Sequence, residues 1–171
     1  REFVQSQALK GASETEQFEH FVNYVIMSDV YSGEFVTTDV GTGAGEFGID
    51  GLAISVNGTL VNDIDQVDDF VGNNKFLDVD FTFTQAKTSN GFDAGEVLKT
   101  LHAVHDFFSP GGLRLVQGSE VKARHTLKNY LYEKAAFFKR RSPFLSIHFA
   151  TLGRWVEDQN LRADPRSSAA C

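Results

Sequence analysis

Apolar residues recur along this chain with two different periods, and the points where the period changes divide it into elements. Phe18, Phe21, Val22, Val25 and Ile26 keep the i, i+3, i+4 spacing of one helix face. Ser13 and Glu16 stand ahead of them as a capping box, so the spacing predicts a helix over about 14–30. Phe35-Val36-Thr37-Thr38-Asp39-Val40 is rich in β-branched side chains and reads as a strand. Beyond the glycine-rich stretch 41–48, Ile49 to Val56 reads as another. Asn57-Gly58, two residues that tolerate positive φ, turns it into a hairpin partner at 59–62. Ile64, Val67, Phe70 and Val71 mark a short helix, capped by Asn62 or Asp63 and ended by Gly72-Asn73-Asn74. A long strand is expected over 77–87, and a helix carrying Val97, Leu98, Leu101, Val104, Phe107 and Phe108 runs up to Pro110-Gly111-Gly112. A longer helix from Ser119 to about Arg141 and a last strand over 144–151 complete the pattern, while residues 1–12 show little.

The order α, β, β-hairpin, short α, β, α, α, β places the chain in the α/β class, with a mixed sheet of four or five strands flanked by helices. At 171 residues and 42% hydrophobic content it suits one domain, taken as 1–155, followed by a C-terminal segment at 156–171. Arg rather than Met at position 1 leaves further domains of a longer parent protein as an expectation. No run approaches the roughly 20 apolar residues that span a bilayer, and no signal-peptide pattern opens the chain. The only cysteine is Cys171, so no internal disulfide forms, which fits a cytoplasmic setting.

Net charge is −7, which argues against a generally basic nucleic-acid binder. The charge is unevenly spread: residues 1–98 hold 4 Lys/Arg against 17 Asp/Glu, and residues 99–171 hold 12 against 6. Lys122, Arg124, Lys128, Lys134, Lys139, Arg140 and Arg141 crowd the long helix; they fit either phosphate contacts or a solvated face.

Candidate chemistry gathers between Gly48 and Lys87. In a strand over 77–87, Gln85 and Lys87 share a face with Val79, Phe81 and Phe83, opposite Asp80, Thr82, Thr84 and Ala86. Burying a lone ammonium is costly, so that strand end is expected to open into a cleft or to meet a partner such as Asp50. Asp50 between glycines equally fits a turn residue, and Glu96 fits a capping box with Asp93. Gly43-x-Gly45-x-x-Gly48 has the form of a dinucleotide fingerprint, but a strand is predicted after it where that motif needs a helix. His102 and His105 are spaced for a metal with no further ligands to complete a set, and no nucleophile motif occurs.

Gly48-Ile49-Asp50-Gly51, then Gln85-Ala86-Lys87 at the end of the next long strand, resembles the core of PD-(D/E)xK nucleases, nearest their Mrr-like branch. More narrowly, Phe18-Glu19-x-Phe21-Val22-Asn23-Tyr24, the Gly48–Gly51 segment, Val56-Asn57-Gly58-Thr59-Leu60-Val61 and Gln85-Ala86-Lys87-Thr88 resemble the N-terminal region of abortive-infection phage-resistance proteins. The likeness spans about residues 14–155. It departs from the family at Ile49, where the family has Pro, and at Gln85, where an acidic residue is usual.

The resemblance implies a restriction-endonuclease-like core and Mg²⁺- or Mn²⁺-dependent hydrolysis of DNA in bacterial phage defence. It implies metal ligands at Asp50, Gln85, the Ala86 carbonyl and Glu19, with Asp50, Gln85 and Lys87 as the catalytic set. The rival expectation is an inactive nuclease-fold module that binds nucleic acid or a protein partner. A homodimer is compatible with either.

Overall fold

The structure is a computed structural model that describes residues 2–7, 9–31, 33–43, 47–89, 91 and 93–154. A short helix, α1 (Glu2–Ser6), precedes α2 (Glu14–Val30). The Ser13 hydroxyl accepts the Glu16 amide at 3.2 Å, and the Glu16 carboxylate accepts the Ser13 amide at 2.7 Å, so the expected capping box starts α2. Strands β1 (Gly51–Val56) and β2 (Thr59–Leu60) form the hairpin. Its turn takes positive φ at both Asn57 (54°) and Gly58 (81°), as the dipeptide predicts. Helix α3 (Ile64–Asn74) is capped by Asp63 and runs through Gly72, ending instead on a left-handed Lys75. Strand β3 (Val79–Lys87), helices α4 (Ala94–Phe107) and α5 (Ser119–Glu133), and strand β4 (Phe144–Thr151) complete the chain.

The sheet order is β2-β1-β3-β4, with β1 and β3 antiparallel and β3 and β4 parallel. Both faces of β3 are covered. On one, Phe81 and Phe83 pack edge-on against Phe107 of α4 in the main core, which also takes Leu52, Ile54, Leu127 and Leu131. On the other, Ala53 joins Met27 of α2 in a second cluster, and Thr84 hydrogen-bonds Asn23 of the same helix. The chain is therefore α/β with a four-stranded mixed sheet between helical layers. Burial on two faces explains why the polar alternation of β3 uses Thr82 and Thr84 in its middle and keeps Asp80 for a half-buried position near its start.

Two expected elements differ. Residues 35–40 form no strand; Thr37–Asp39 is a 3₁₀ turn. Its β-branched residues are engaged by tertiary partners: the Thr37 amide donates to Gln7 at 3.0 Å, and the Thr37 hydroxyl meets His20 Nδ1 at 2.8 Å. The long helix stops at Glu133, eight residues short of Arg141, and a 3₁₀ turn over Ala135–Phe137 follows. There the chain is drawn onto the sheet: the Leu77 amide donates to Phe137 O at 2.7 Å and the Lys139 amide to Leu77 O at 2.9 Å.

Candidate functional site

Asp50 sits one residue before β1 and is fixed through its own backbone. Its amide donates to Thr84 O at 2.9 Å, and its carbonyl accepts from Asn23 Nδ2 at 3.2 Å and the Thr42 amide at 3.3 Å. Glycines on both sides are required by packing. Gly48 has φ 71°, and a Cβ there would lie 3.1 Å from the Lys99 carbonyl, so the loop lies directly on the α4 backbone. Gly51 needs space alone: a Cβ on it would overlap the Asn23 amide oxygen and the Thr84 hydroxyl, which are bonded to each other.

The fixed backbone delivers the Asp50 carboxylate to the end of β3. Oδ2 accepts the Ala86 amide at 2.7 Å and also a hydrogen bond from Gln85 Nε2. Oδ1 receives no hydrogen bond from any described residue. Gln85 is 1% exposed, and its Oε1 is buried without a partner. An unpaired buried amide oxygen is costly, so a donor or cation bound there would be favourable. Lys87, on the same strand face, turns to Glu96 Oε2 at 3.1 Å.

Burial pushes the Asp50 carboxyl above its usual range, against the Ala86 hydrogen bond and the Lys87 and Lys99 charges, which pull it down. Glu19, on α2, is pushed up to about 7, first by burial and then by repulsion from Asp50, with Lys87 opposing. Glu19 forms no hydrogen bond or ion pair among the described residues. Helices from the two opposite layers, α2 with Glu19 and α4 with Glu96 and Lys99, thus meet the sheet at the end of β3.

All the residues singled out from the sequence are here: Asp50, Gln85, Ala86 and Lys87 are in direct contact or adjacent, and Glu19 is within electrostatic reach. Glu96, read from the sequence as part of a cap, also belongs to this edge, and Lys99 is a residue that the sequence reading did not single out. Asp93 caps α4 through the Gly95 amide at 2.7 Å, so no capping box engages Glu96, whose carboxylate goes to Lys87 instead. The signal was available: one turn of α4 places residue 96 three positions from residue 99 on the same face.

Much of the basic cluster of the sequence has structural work. Arg124 and Lys128, each 5% exposed, are bound to Glu120 and the Asp39 carbonyl and to the Phe107 carbonyl respectively. Lys134 pairs with Asp68, while Lys139 and Arg140 pair with Asp78. Gly45 of the glycine pattern lies outside the described residues; the element after Gly48 is β1, without the helix a dinucleotide site needs. Among the described residues no three His, Cys, Asp or Glu side chains group tightly enough to hold an ion by themselves. Among the described residues, oxygens at this edge without a hydrogen-bond partner include Asp50 Oδ1, Gln85 Oε1 and the Glu19 carboxylate.

No protein-family model, no curated protein and no solved structure matches this chain.

Proposed function

We propose that the end of β3 is the active site of a metal-dependent nuclease that hydrolyses DNA, within a restriction-endonuclease-like core. The observation that carries this reading is the buried, unpartnered Oε1 of Gln85 beside an Asp50 carboxylate whose second oxygen is also open. Mg²⁺ takes one or two carboxylates and keeps several waters, so a tight cluster of three acids is not required. Asp50, Gln85 through its amide oxygen, the Ala86 carbonyl and Glu19 would hold the ion, and Mn²⁺ suits the same oxygens. When bound, it supplies charge neutralisation for a phosphodiester under attack.

The chain's own groups supply the rest. Lys87 has three ammonium hydrogens, of which one serves Glu96. The others are free to orient an attacking water and to stabilise charge that develops on a phosphate oxygen. Asn23, Thr84 and Thr42 hold the Asp50 backbone still, so the carboxylate needs no reorganisation to act. The resemblance to abortive-infection proteins supports a role in bacterial phage defence.

A second reading, a binding module on the same fold, is favoured by one observation. Asp50 Oδ2 accepts from Gln85 and Ala86, and Lys87 pairs with Glu96, so these two charged groups have partners within the chain.

Supercoiled plasmid incubated with the protein and Mg²⁺, Mn²⁺ or EDTA separates the two. Metal-dependent nicking that disappears in Asp50→Ala and in Lys87→Ala is the expected result. Cleavage that survives Lys87→Ala would overturn the mechanism, and no Mg²⁺ binding in calorimetry would favour the module.

A further inference from the structure

We infer that Lys99 is the phosphate-gripping residue of this site, a cation on α4 that binds the nucleic-acid backbone beside the Asp50–Gln85–Lys87 trio. The inference rests on reading that trio as a nucleic-acid site, and it adds a residue that neither motif nor resemblance points to.

Two ammonium groups act on the Asp50 carboxylate, those of Lys87 and Lys99, and the structure treats them differently. Lys87 is committed to Glu96 at 3.1 Å. Among the described residues no carboxylate lies within ion-pair distance of Lys99. Its ammonium instead stands 5.0 Å above the Phe47 ring, a cation–π contact that holds it without neutralising it.

The placement is also built. The Phe47 amide donates to Gln117 Oε1 at 3.1 Å, and Gln117 Nε2 donates back to the Phe47 carbonyl at 3.3 Å. Gln117 is buried, so this clamp is anchored in the body of the domain. Gly48, the next residue, lies against the Lys99 and Thr100 backbone. The Lys99 backbone is therefore packed against the loop that carries Asp50, and the Phe47 ring sets its ammonium beside the same edge.

Electrostatics then requires such a group. A polyanion approaching this edge meets Asp50, Glu19 and Glu96 on a chain of net charge −7. Five of the seven candidates on α5 and after it, Arg124, Lys128, Lys134, Lys139 and Arg140, are bound to acids or carbonyls elsewhere in the fold. Among the described residues Lys99 is a cation at the site with no charged partner.

The test measures binding apart from cleavage. Fluorescence anisotropy of a labelled DNA duplex in EDTA, over a salt series, compares wild type, Lys99→Ala, Lys99→Arg and, as a control, Lys122→Ala. Lys99→Ala is expected to weaken binding about tenfold at low salt. It should also shrink the slope of log affinity against log salt by about 0.9, the loss of one phosphate contact. Lys99→Arg restores both, and Lys122→Ala changes neither. In cleavage assays Lys99→Ala raises KM while kcat stays within about threefold.

Equal losses in Lys99→Ala and Lys122→Ala, or kcat falling at constant KM, would overturn the inference. Cleavage that Lys99→Ala leaves untouched sinks Lys99 and leaves the nuclease standing. Lys99-dependent DNA binding without metal-dependent cleavage keeps Lys99 and sinks the nuclease.

Discussion

Replacing Gly51 with Ala tests whether the polar network behind Asp50 is what sets that residue. The added Cβ would overlap Asn23 Oδ1 and Thr84 Oγ1, two atoms hydrogen-bonded to each other in a buried layer between α2 and the sheet. Backbone strain is not at issue, because the φ of Gly51 is not positive. To make room, Asn23 must swing away, which breaks its bonds with Thr84 and the Asp50 carbonyl. Leaving such buried groups unpaired costs about 1–3 kcal/mol each. Part of that loss overlaps with simple overpacking, itself about 1–3 kcal/mol, so a total of about 2–4 kcal/mol is expected. For a chain of this size that corresponds to a drop in Tm of roughly 5–15 °C. Urea denaturation of Gly51→Ala, Asn23→Ala and the double variant forms a cycle that isolates the mechanism. Truncating Asn23 removes one of the two overlaps and leaves the one with Thr84 Oγ1, so the double variant should lose clearly less than the sum of the two single variants. The favourable coupling should exceed about 1 kcal/mol. A Gly51→Ala protein within about 0.5 kcal/mol of wild type, or strict additivity in the cycle, would refute the reasoning.

Two further outcomes follow from the charges. Glu19 keeps a proton in the folded state up to about pH 7 that the unfolded chain has lost by its ordinary value of 4.5. Its contribution to stability therefore falls as pH rises through that window and is lowest above it. Metal-free Glu19→Gln should gain on wild type from pH 4.5 to 7 by about 1–2 kcal/mol, discounted for partial solvent contact, and then hold constant. Thermal melts at each pH would contradict this if the difference stayed flat. Glu96→Gln removes a partly exposed pair worth under about 1 kcal/mol, so its melt should barely move. Plasmid nicking, however, should fall tenfold or more as Lys87 loses its anchor. A large loss of stability with normal cleavage would reverse that assignment.

The parts of the fold legible in the sequence are those whose signals are local. The Ser13–Glu16 box starts α2 where it was expected, Asn57-Gly58 turns β1 into β2, and the aromatic alternation of Phe81 and Phe83 runs along β3. The 35–40 segment misled because β-branching reports a fit to a half-buried pleated surface, and here Thr37 is held by Gln7 and His20 instead. The end of α5 misled for the same kind of reason. Helical spacing continues past Glu133, yet the backbone of Phe137 and Lys139 gains ladder bonds to Leu77 from the opposite end of β3. No window of local sequence contains that partner. At the site, Asp50, Gln85 and Lys87 were visible because strand periodicity and the spacing of two motifs place them together. Glu96 was assigned to a cap because Asp-x-x-Glu is ambiguous until the position of Lys87 is known.

Glu19 is the residue whose placement is hardest to account for on structural grounds alone. It is partly buried on α2, beside another carboxylate, with no hydrogen bond or ion pair among the described residues. Burial and like charge both raise the free energy of its ionised form, and a small shift of a surface glutamate would relieve both. Asn23, one turn further along the same helix, is bonded to the Asp50 carbonyl, so the register that packs α2 on the sheet also brings Glu19 to Asp50. The stability of α2 thus comes with two carboxylates and an unpaired amide oxygen directed at one edge. A divalent cation would turn each of these costs into a favourable contact: it removes the repulsion, gives Gln85 Oε1 a partner and releases the proton from Glu19. Cation binding would thus bring together Asp50, Glu19 and Gln85 Oε1 on one ion, which agrees with the metal-dependent chemistry proposed for this edge.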